Sequence, residues 1–308
     1  MDSWRPVATL QGLSVRAKTL RQIREFFTER DVLEVETPLL SRTAVPDETI
    51  QPMACGGGYL STSPETAMKR LLAAGYGSIY QIARAFRHEE SGPLHNPEFT
   101  MLEWYRPGWS WRELMDETIL LVKSILGPKP VYEYTFQQAF LKYAGVDPFT
   151  AKDETLIQAL PSPPPPDLDR FGLLDLLLSQ RVEPAFKATG ALVLLTHFPV
   201  ERAAMARIDP GPPATALRFE LYADGVELVN GYQELTVAQE QEDRFNRVNQ
   251  KFLQEGKAMI PIDRHFLAAL QAGLPPCAGA ALGVDRLAML AMNGKDLSAV
   301  LAFPAEIA

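Results

Sequence analysis

The sequence predicts an α+β fold in which helices flank a mostly antiparallel sheet. Residues 78–87 and 98–106 have strand-like patterns and are joined by a polar loop, which is typical of a long-looped antiparallel hairpin. A second hairpin is predicted where the strand-like residues 216–223 and 226–230 flank an Asp-Gly pair. Helices with clear start signals lie between and after these hairpins, as the α+β class requires.

The size and composition indicate a globular protein. The chain has 308 residues, of which 46% are hydrophobic and 22% are charged, so it can bury a large core. This length suits about two domains or one large catalytic domain. We expect one catalytic domain over residues 1–308, in which the proline-rich stretch of roughly 130–215 is a less informative insertion.

The charge and the cysteines limit the classes of function. The net charge of −8 argues against bulk electrostatic capture of nucleic acid or of an anionic membrane, although it allows a local basic patch. Cys55 and Cys277 indicate neither a disulfide framework nor a zinc site. The N-terminus lacks an apolar signal segment, and no stretch of about 18 apolar residues occurs. We therefore expect a cytoplasmic protein that does not bind membranes.

The N-terminal elements follow from periodicity and from proline. Apolar residues at helical spacing after Ser14 predict a helix that ends near Arg30. Residues 32–36 then read as a strand, which Pro38 stops.

Two further helices have clear start signals on either side of the first hairpin. Ser63 and Pro64 predict the start of a helix whose first turn contains Glu65 and which ends at Gly75. A capping box that begins at Ser110 predicts the helix after the hairpin.

Strand periodicity assigns the side chains of residues 98–106 to two faces. Phe99, Met101, Glu103 and Tyr105 share one face, and the even-numbered residues share the other. The first face combines aromatic rings with a carboxylate. It is therefore a candidate binding face, although ordinary core packing is the alternative.

The C-terminal part contains two helices, a strand and a final helix. Thr236 and Gln239 predict a capping box for a polar helix, and Asp263 starts a second helix. The small residues 277–282 predict a strand, and the last helix begins at Gly283.

Ten polar residues on separate elements are predicted to be buried, and buried charge is costly unless it is paired or ligated. They are Glu65, Arg87, Glu89, Asn96, Glu103, Tyr105, Glu227, Asn230, Glu234 and Arg286. Arginines beside carboxylates suit a polyphosphate held by guanidinium groups and by a carboxylate-bound divalent metal. Each residue taken singly also has an ordinary explanation as a surface ion pair, a helix cap or a core side chain.

Two pairs of these residues carry geometric expectations. Glu227 and Glu234 lie seven positions apart, so a regular strand would send them to opposite faces. We therefore predict a bulge at Asn230-Gly231, which would return Glu234 to the face of Glu227. Arg286 lies at a helix start, where an anion is favoured and where it would meet a terminal phosphate, although a helix cap with a surface ion pair is the alternative.

The order of these residues resembles the catalytic core of a class II aminoacyl-tRNA synthetase of the lysine-type branch. Residues 35–38 resemble the first class II motif, residues 86–103 the second and residues 283–286 the third. Residues 62–65 and 227–234 resemble further elements of the lysine branch. The resemblance spans nearly the whole chain.

Within this branch the chain resembles the elongation factor P (R)-β-lysine ligases, which are paralogues without an anticodon-binding domain. Residues 96–107 carry this likeness most clearly. The sequence begins just before the catalytic core, so we expect no OB-fold domain ahead of it and no tRNA binding. His88 stands where these ligases usually have asparagine. Ala281 stands where lysyl-tRNA synthetases commonly have glycine, and its methyl group would narrow the amino-acid pocket and favour β-lysine over α-lysine.

The resemblance implies a two-step reaction and a set of site residues. ATP, with Mg²⁺, and (R)-β-lysine would form an adenylate, and the acyl group would pass to the ε-amine of a lysine on elongation factor P. The catalytic residues would be Arg87 and Arg286, and the metal ligands Glu227 and Glu234. The ATP-binding residues would be Arg87, His88, Glu89, Asn96, Phe99, Glu227, Leu228, Gly283 and Arg286. The substrate-binding residues would be Ser63, Pro64, Glu65, Tyr105, Glu234 and Ala281.

Two other functions stay open at this point. One is a truncated synthetase that acylates tRNA or another acceptor, and the other is a regulatory subunit without turnover. The motif residues Arg87, Glu227, Glu234 and Arg286 are all retained, which weighs against the second. Class II cores are usually homodimers through the first motif, so the resemblance also implies a homodimer.

Overall fold

The computed structural model describes residues 4–88, 90–166 and 168–308. Over these residues its helices are α1 (Leu10–Thr28), α2 (Glu65–Ala73), α3 (Trp111–Leu126), α4 (Phe136–Tyr143), α5 (Asp153–Ala159), α6 (Arg170–Leu177), α7 (Glu183–Thr189), α8 (Ala238–Gln254), α9 (Arg264–Gly273) and α10 (Val284–Ala291). Its strands are β1 (Leu33–Glu34), β2 (Leu40–Ser41), β3 (Ala54–Cys55), β4 (Gly58–Leu60), β5 (Ile79–Phe86), β6 (Glu98–Pro107), β7 (Val131–Thr135), β8 (Leu192–Pro199), β9 (Ile208–Asp209), β10 (Thr215–Ala223), β11 (Val226–Gln233) and β12 (Cys277–Gly283).

The chain divides into two compact units. The first unit runs to Gly127 and resumes at Glu234, and the second unit is Pro128–Gln233. The stretch 130–215, about which the sequence says least, therefore lies in the second unit. The description of residues 1–308 as one catalytic domain stays a prediction.

The first unit is built around a mostly antiparallel set of strands, and this confirms the predicted fold class. Its order is β1-β5-β6-β12, in which β1 is parallel to β5 and the other pairs are antiparallel. The long-looped hairpin is confirmed as β5 and β6. Strands β2, β4 and β3 form a separate small sheet.

The two predicted faces of β6 are confirmed by what each side chain contacts. On the even-numbered face, the Trp104 Nε1–H donates to Glu117 Oε2 of α3 at 3.1 Å. Arg106 Nε donates to the same oxygen at 3.0 Å, and Arg106 NH2 pairs with Glu117 Oε1. These three side chains are buried, so the even-numbered face anchors α3. The odd-numbered face is left for the candidate site.

The second unit has strands and a core of its own. Its strand order is β11-β10-β8-β7, with β7 parallel to β8 and with the short β9 paired to β10. Buried residues of its helices and strands form one hydrophobic cluster, whose aromatic members include Phe136, Phe140, Phe186 and Tyr222. An internally packed core explains why this proline-rich stretch folds despite its weak sequence pattern.

Several predicted boundaries hold and others move. The capping box at Ser110 and the cap at Asp263 are confirmed. Helix α1 begins at Leu10, earlier than predicted, because the Thr9 hydroxyl accepts a hydrogen bond from the Gly12 N–H at 3.1 Å.

The capping box predicted at Thr236 and Gln239 is wrong. Helix α8 begins at Ala238, and Val237, which has no hydroxyl group, occupies the cap position. Gln239 lies inside the helix, where its side chain donates to Asp243 one turn further on at 3.0 Å. This pair uses the amide that the capping box would have needed.

The bulge predicted at Asn230-Gly231 is also wrong in position. Glu220 lies opposite Asn230 in a regular ladder, and the register shifts later, where Tyr222 lies opposite Glu227. Leu228 is therefore the additional residue. Leu228 and Val229 are consecutive and both buried, which a regular strand with one buried face would not allow.

The buried ion pair on the even-numbered face of β6 gives a stability prediction. We expect Glu117→Leu to lower the free energy of unfolding by about 3–5 kcal/mol, because it leaves Arg106 charged and unpaired in the core. Urea unfolding followed by tryptophan fluorescence measures this loss. The double variant Glu117→Leu/Arg106→Leu removes both charges and should lose less than the single variant. A Glu117→Leu protein as stable as the parent would contradict the assignment.

Candidate active site

The odd-numbered face of β6 continues onto β12. Cross-strand pairing sets Tyr105 opposite Gly279, Glu103 opposite Ala281, and Met101 opposite Gly283. Residues directly opposite in an antiparallel pair point to the same face. The pairing therefore brings the predicted residues Tyr105, Ala281 and Gly283 onto one surface, with Glu103 among them.

The segment before α2 reaches this surface through a serine hydroxyl. Ser63 Oγ donates to Glu103 Oε2 at 2.7 Å and accepts the Glu65 N–H at 3.0 Å. The Tyr105 hydroxyl donates to the other oxygen, Glu103 Oε1, at 2.5 Å. Pro64 occupies the cap position of α2 and is buried. Both oxygens of Glu103 are thus held by hydroxyl donors.

A buried lysine joins two other predicted residues of the site. Lys69 Nζ lies 2.5 Å from Glu65 Oε1 and 2.6 Å from Glu234 Oε2. The Lys69 and Glu234 side chains are each 1% exposed. We call Glu65, Glu103 and Glu234 the carboxylate cluster. Lys69 is not among the residues predicted from the sequence, although its spacing of four from Glu65 on a helix is a signal for such a pair.

Burial shifts the protonation equilibria of the carboxylate cluster. Burial raises the pKa of Glu103 to about 7, and the charge of Glu65 adds to this shift against the hydrogen bonds from Tyr105 and Ser63. Burial also raises the pKa of Glu234 to about 8, although the Lys69 ammonium lowers it. For Lys69 itself, burial lowers the pKa, but the charges of Glu234 and Glu65 outweigh it and raise the pKa above its ordinary value. Lys69 is therefore a charged ammonium.

Gly279 is a second site residue that is not among those predicted from the sequence. A Cβ atom there would lie 2.3 Å from two carbons of the Tyr105 ring and 2.5 Å from Glu234 Oε1. Both distances are far below van der Waals contact. Only glycine lets the strand pass this close to the carboxylate cluster. The signal for Gly279 in the sequence is the run of small residues 277–282, which is typical of a strand that passes close to its neighbours.

The predicted phosphate-binding arginine lies beside the predicted base-stacking ring. The Arg87 guanidinium carbon is 5.0 Å from the centre of the Phe99 ring, and its NH1 pairs with Glu90 at 3.3 Å. Within the described residues, the buried Arg87 Nε has no hydrogen-bond partner. The Arg87 side chain is 22% exposed, and a guanidinium group suits the binding of an anion. Glu89, which was also predicted to bind ATP, lies outside the described residues.

The second predicted arginine contacts the loop of the long hairpin. Arg286, in the first turn of α10, donates from Nε to the Leu94 carbonyl at 3.1 Å, and its NH2 lies 2.7 Å from His95 Nε2. Gly283 precedes α10, and a Cβ there would meet atoms no nearer than 3.7 Å. The space above Gly283 is therefore open beside Arg286.

Two other residues of the predicted ATP site make local contacts. Asn96 donates to the Glu98 carbonyl at 2.6 Å and accepts the Ala305 N–H at 2.9 Å, so its side chain joins the start of β6 to the C-terminal segment. The His88 backbone N–H donates to the Gln51 carbonyl at 2.9 Å. Their roles in binding ATP stay predictions.

The buried aspartate of the third motif has a structural role. Asp285 Oδ2 accepts the Thr100 N–H at 2.9 Å, and Oδ1 pairs with Arg16 of α1. Arg16 NH2 also donates to the Thr100 hydroxyl at 2.7 Å. This network joins α1, β6 and α10, so it fixes the start of the helix that carries Arg286.

The second unit carries the remaining predicted residues on one face of its β10–β11 hairpin. Tyr222 lies opposite Glu227 and Glu220 opposite Asn230, so the bulge returns Glu227 to the face of Asn230. Glu220 accepts hydrogen bonds from Arg218 and from Tyr222, each at 2.5 Å. Burial raises the pKa of Glu220 although Arg218 lowers it, and the charge of Glu227 raises it further.

The same hairpin bears on metal and nucleotide binding. Leu228 is the bulged residue and its side chain is buried, so only its backbone can meet a ligand. The Glu227 carboxylate provides hard oxygen donors, which is the chemistry that Mg²⁺ prefers. In the described part of the chain, no three His, Cys, Asp or Glu side chains gather into a metal site by themselves.

Every described helix is too short or too polar to cross a lipid bilayer.

Comparison with known proteins agrees with this geometry. Residues 2–307 match the family model of class II tRNA synthetases (D, K and N). The elongation factor P (R)-β-lysine ligase of Vibrio cholerae serotype O1 is 48% identical, over 98% of this chain and 98% of that protein. The ligases of that name from Vibrio atlanticus and Yersinia pestis are 46% and 44% identical, over 98% and 99% of this chain and 98% of each relative. The predicted resemblance is confirmed, and the chain belongs to the class II tRNA synthetase family of the D, K and N type.

Proposed function

We propose that the protein is an ATP-dependent ligase that activates (R)-β-lysine and transfers it to a lysine side chain of elongation factor P. The observation that carries this proposal is the carboxylate cluster beside the odd-numbered face of β6, in which Glu103 and Glu234 are buried. Carboxylates held in a buried site select ligands that carry ammonium groups. The names of the three relatives agree with this substrate and this acceptor.

The amino-acid end is assigned to the face around the carboxylate cluster. Glu65 and Glu234 would receive the ammonium groups of the diamino acid, and Ser63 and Tyr105 would hold the neighbouring Glu103 in place. Ala281 lies opposite Glu103, and its methyl group supports the preference for β-lysine over α-lysine. Pro64 would fix the start of α2 and, with it, Glu65.

The nucleotide end is assigned to the two arginines and their surroundings. Arg87 would hold the α-phosphate and the attacking carboxylate, and Arg286 the γ-phosphate, close to the open backbone at Gly283. Phe99 would stack on adenine with the ring face that Arg87 leaves free. His88, Glu89, Asn96 and the Leu228 backbone are proposed as further contacts on the adenine side.

Magnesium is proposed as the cofactor that accompanies ATP. When bound, it would neutralise phosphate charge during adenylate formation. Glu227 is the residue we assign to it, because the oxygens of the neighbouring Glu220 already accept hydrogen bonds from Arg218 and Tyr222. Glu234 was also predicted as a ligand, but the Lys69 ammonium lies 2.6 Å from one of its oxygens, so its substrate role has better support.

The chain's own residues would act by positioning and by neutralising charge. In the first step the substrate carboxylate attacks the α-phosphorus in line, and pyrophosphate leaves. In the second step the lysine ε-amine of elongation factor P attacks the acyl carbonyl, and AMP leaves with formation of an amide. Arg87 lowers the barrier of the first step because it stabilises charge that develops in the transition state.

We also propose a cytoplasmic homodimer formed through the first class II motif. Leu33 and Leu40, on either side of residues 35–38, are 51% and 54% exposed. Exposed leucines beside a short edge strand are suited to burial against a second copy.

The first test presents two acceptors in parallel. Purified protein is incubated with ATP, Mg²⁺ and (R)-β-lysine, together with unmodified elongation factor P or lysine tRNA, and mass spectrometry identifies the acylated product. We expect elongation factor P alone to gain the acyl mass. Acylated tRNA would instead establish a truncated synthetase, and binding of ATP without any product would favour a regulatory subunit.

A pH dependence follows from the raised pKa values of Glu103 and Glu234. A protonated carboxyl cannot hold an ammonium group, and these pKa values are about 7 and about 8. We therefore expect kcat/KM for (R)-β-lysine to rise between about pH 6 and about pH 8, since kcat/KM reports groups of the free enzyme. The same profile for ATP at saturating (R)-β-lysine is the control. A flat profile for the amino acid would contradict the assignment.

The close approach at Gly279 gives a third prediction. We expect Gly279→Ala to lower adenylate formation by about 100-fold or more, because the new methyl group displaces Tyr105 and Glu234. Exchange of labelled pyrophosphate into ATP measures this step. Ala281→Gly, which removes a methyl group from the same strand face, is the matched control and should retain exchange with (R)-β-lysine. Parent-like exchange by a folded Gly279→Ala protein would remove Gly279 from the site.

A further inference from the structure

Lys69 is a buried cation in a site that we propose to bind cations. Its ammonium lies 2.5 Å from Glu65 Oε1 and 2.6 Å from Glu234 Oε2, and its side chain is 1% exposed. The same nitrogen is 6.0 Å from the centre of the Tyr105 ring. Burying an ammonium group costs several kcal/mol unless close partners compensate, as both carboxylates do here.

The surroundings of Lys69 define the charge of the site. Two carboxylates face the Lys69 ammonium. Glu65 lies on the same helix as Lys69, and Glu234 directly follows β11. From β6, Glu103 interacts with the Lys69 charge, and the Tyr105 ring lies 6.0 Å from the Lys69 nitrogen. From β12, Cys277 has a pKa that burial raises and that the Lys69 charge lowers. Helix α9 also packs against α2, and its buried side chains are apolar. Lys69 is the one cation among the described groups that act on this cluster.

The charges match the proposed ligand. When all three carboxyl groups of the cluster are ionised, they and the Lys69 ammonium together leave two negative charges, and a diamino acid brings two ammonium groups. Without Lys69 a third carboxylate would be left uncompensated, and Glu65 and Glu234 would repel each other across the site. The distances of Lys69 to both carboxylates also restrict where their remaining oxygens can point.

We propose that Lys69 is a positioning residue that determines specificity, because its ammonium holds Glu65 and Glu234 apart at fixed places and leaves the cluster two negative charges for a diamino acid. This inference rests on the proposed function. Lys69 need not touch the reacting atoms, so it acts through the carboxylates. Its removal affects recognition of ammonium groups more than it affects the chemical step.

The test compares a neutral variant with a charged one. Lys69→Met keeps the length of the side chain and removes its charge, and Lys69→Arg keeps the charge. Arg70→Gln removes a cation from the exposed side of the same helix and is the matched control. Pyrophosphate exchange gives kcat and KM for (R)-β-lysine, and inhibition of this exchange gives the affinity of 3-aminohexanoate, which lacks the terminal ammonium group. Thermal melting checks that each variant is folded.

We expect Lys69→Met to raise KM for (R)-β-lysine by about 10-fold to 100-fold, which is the size of lost hydrogen bonds between charged groups. KM for ATP should change by less than about twofold, and kcat by less than about threefold. The preference for (R)-β-lysine over 3-aminohexanoate should fall by at least about tenfold. Lys69→Arg should recover part of this preference, and Arg70→Gln should behave as the parent.

A purely structural lysine would give a different result. Equal losses for both ligands, with the preference between them unchanged, would overturn the inference. If Lys69→Met is recovered unfolded, Lys69→Arg decides, since a charge-retaining variant that has lost the preference would also overturn it. If the parent protein shows no exchange with (R)-β-lysine, the proposed function itself is contradicted. This outcome differs from an active parent whose Lys69 variants keep the preference, which would contradict only the role of Lys69.

Discussion

The antiparallel pairing of β6 with β12 is the constraint on which the candidate site depends. Its register sets Tyr105 opposite Gly279 and Glu103 opposite Ala281, so a shift by one residue would turn every one of these side chains to the other face. The other face packs against α3, because Trp104 and Arg106 donate hydrogen bonds to Glu117 of that helix. Packing on one side of the strand therefore fixes the chemistry on the other.

The two faces of β6 bury charge for different purposes. On the even-numbered face, Arg106 and Glu117 form a buried pair of opposite charges, and this pair joins a helix to a sheet. The carboxylate cluster has more acid than base, since Lys69 is the one described cation among Glu65, Glu103 and Glu234. A surplus of buried negative charge is unfavourable, as the raised pKa values of Glu103 and Glu234 indicate. Such a surplus is what a positively charged ligand can relieve.

The confirmed predictions depend on local pattern, although the local pattern at Thr236 and Gln239 was misleading, and the missed features depend on tertiary contact. The hairpin of β5 and β6, the faces of β6 and the capping box at Ser110 follow from periods and caps a few residues long, and all are confirmed. The bulge was placed at Gly231 because glycine is the usual signal, yet the buried pair Leu228 and Val229 determines its position. Lys69 was missed because its second partner, Glu234, lies far along the chain. The site roles themselves come from family resemblance.

The space at the site is set by single methyl groups. Gly279 has no room for a Cβ atom, whereas Ala281, two residues along the same face, carries one opposite Glu103. At Gly279 the backbone of the strand therefore lies very close to Tyr105 and Glu234. At Ala281 a methyl group lies on the same face, opposite Glu103. A ligand whose ammonium group is displaced by one methylene would meet these two positions differently. Discrimination between α-lysine and β-lysine, which differ in the position of one amino group, requires differences on this scale.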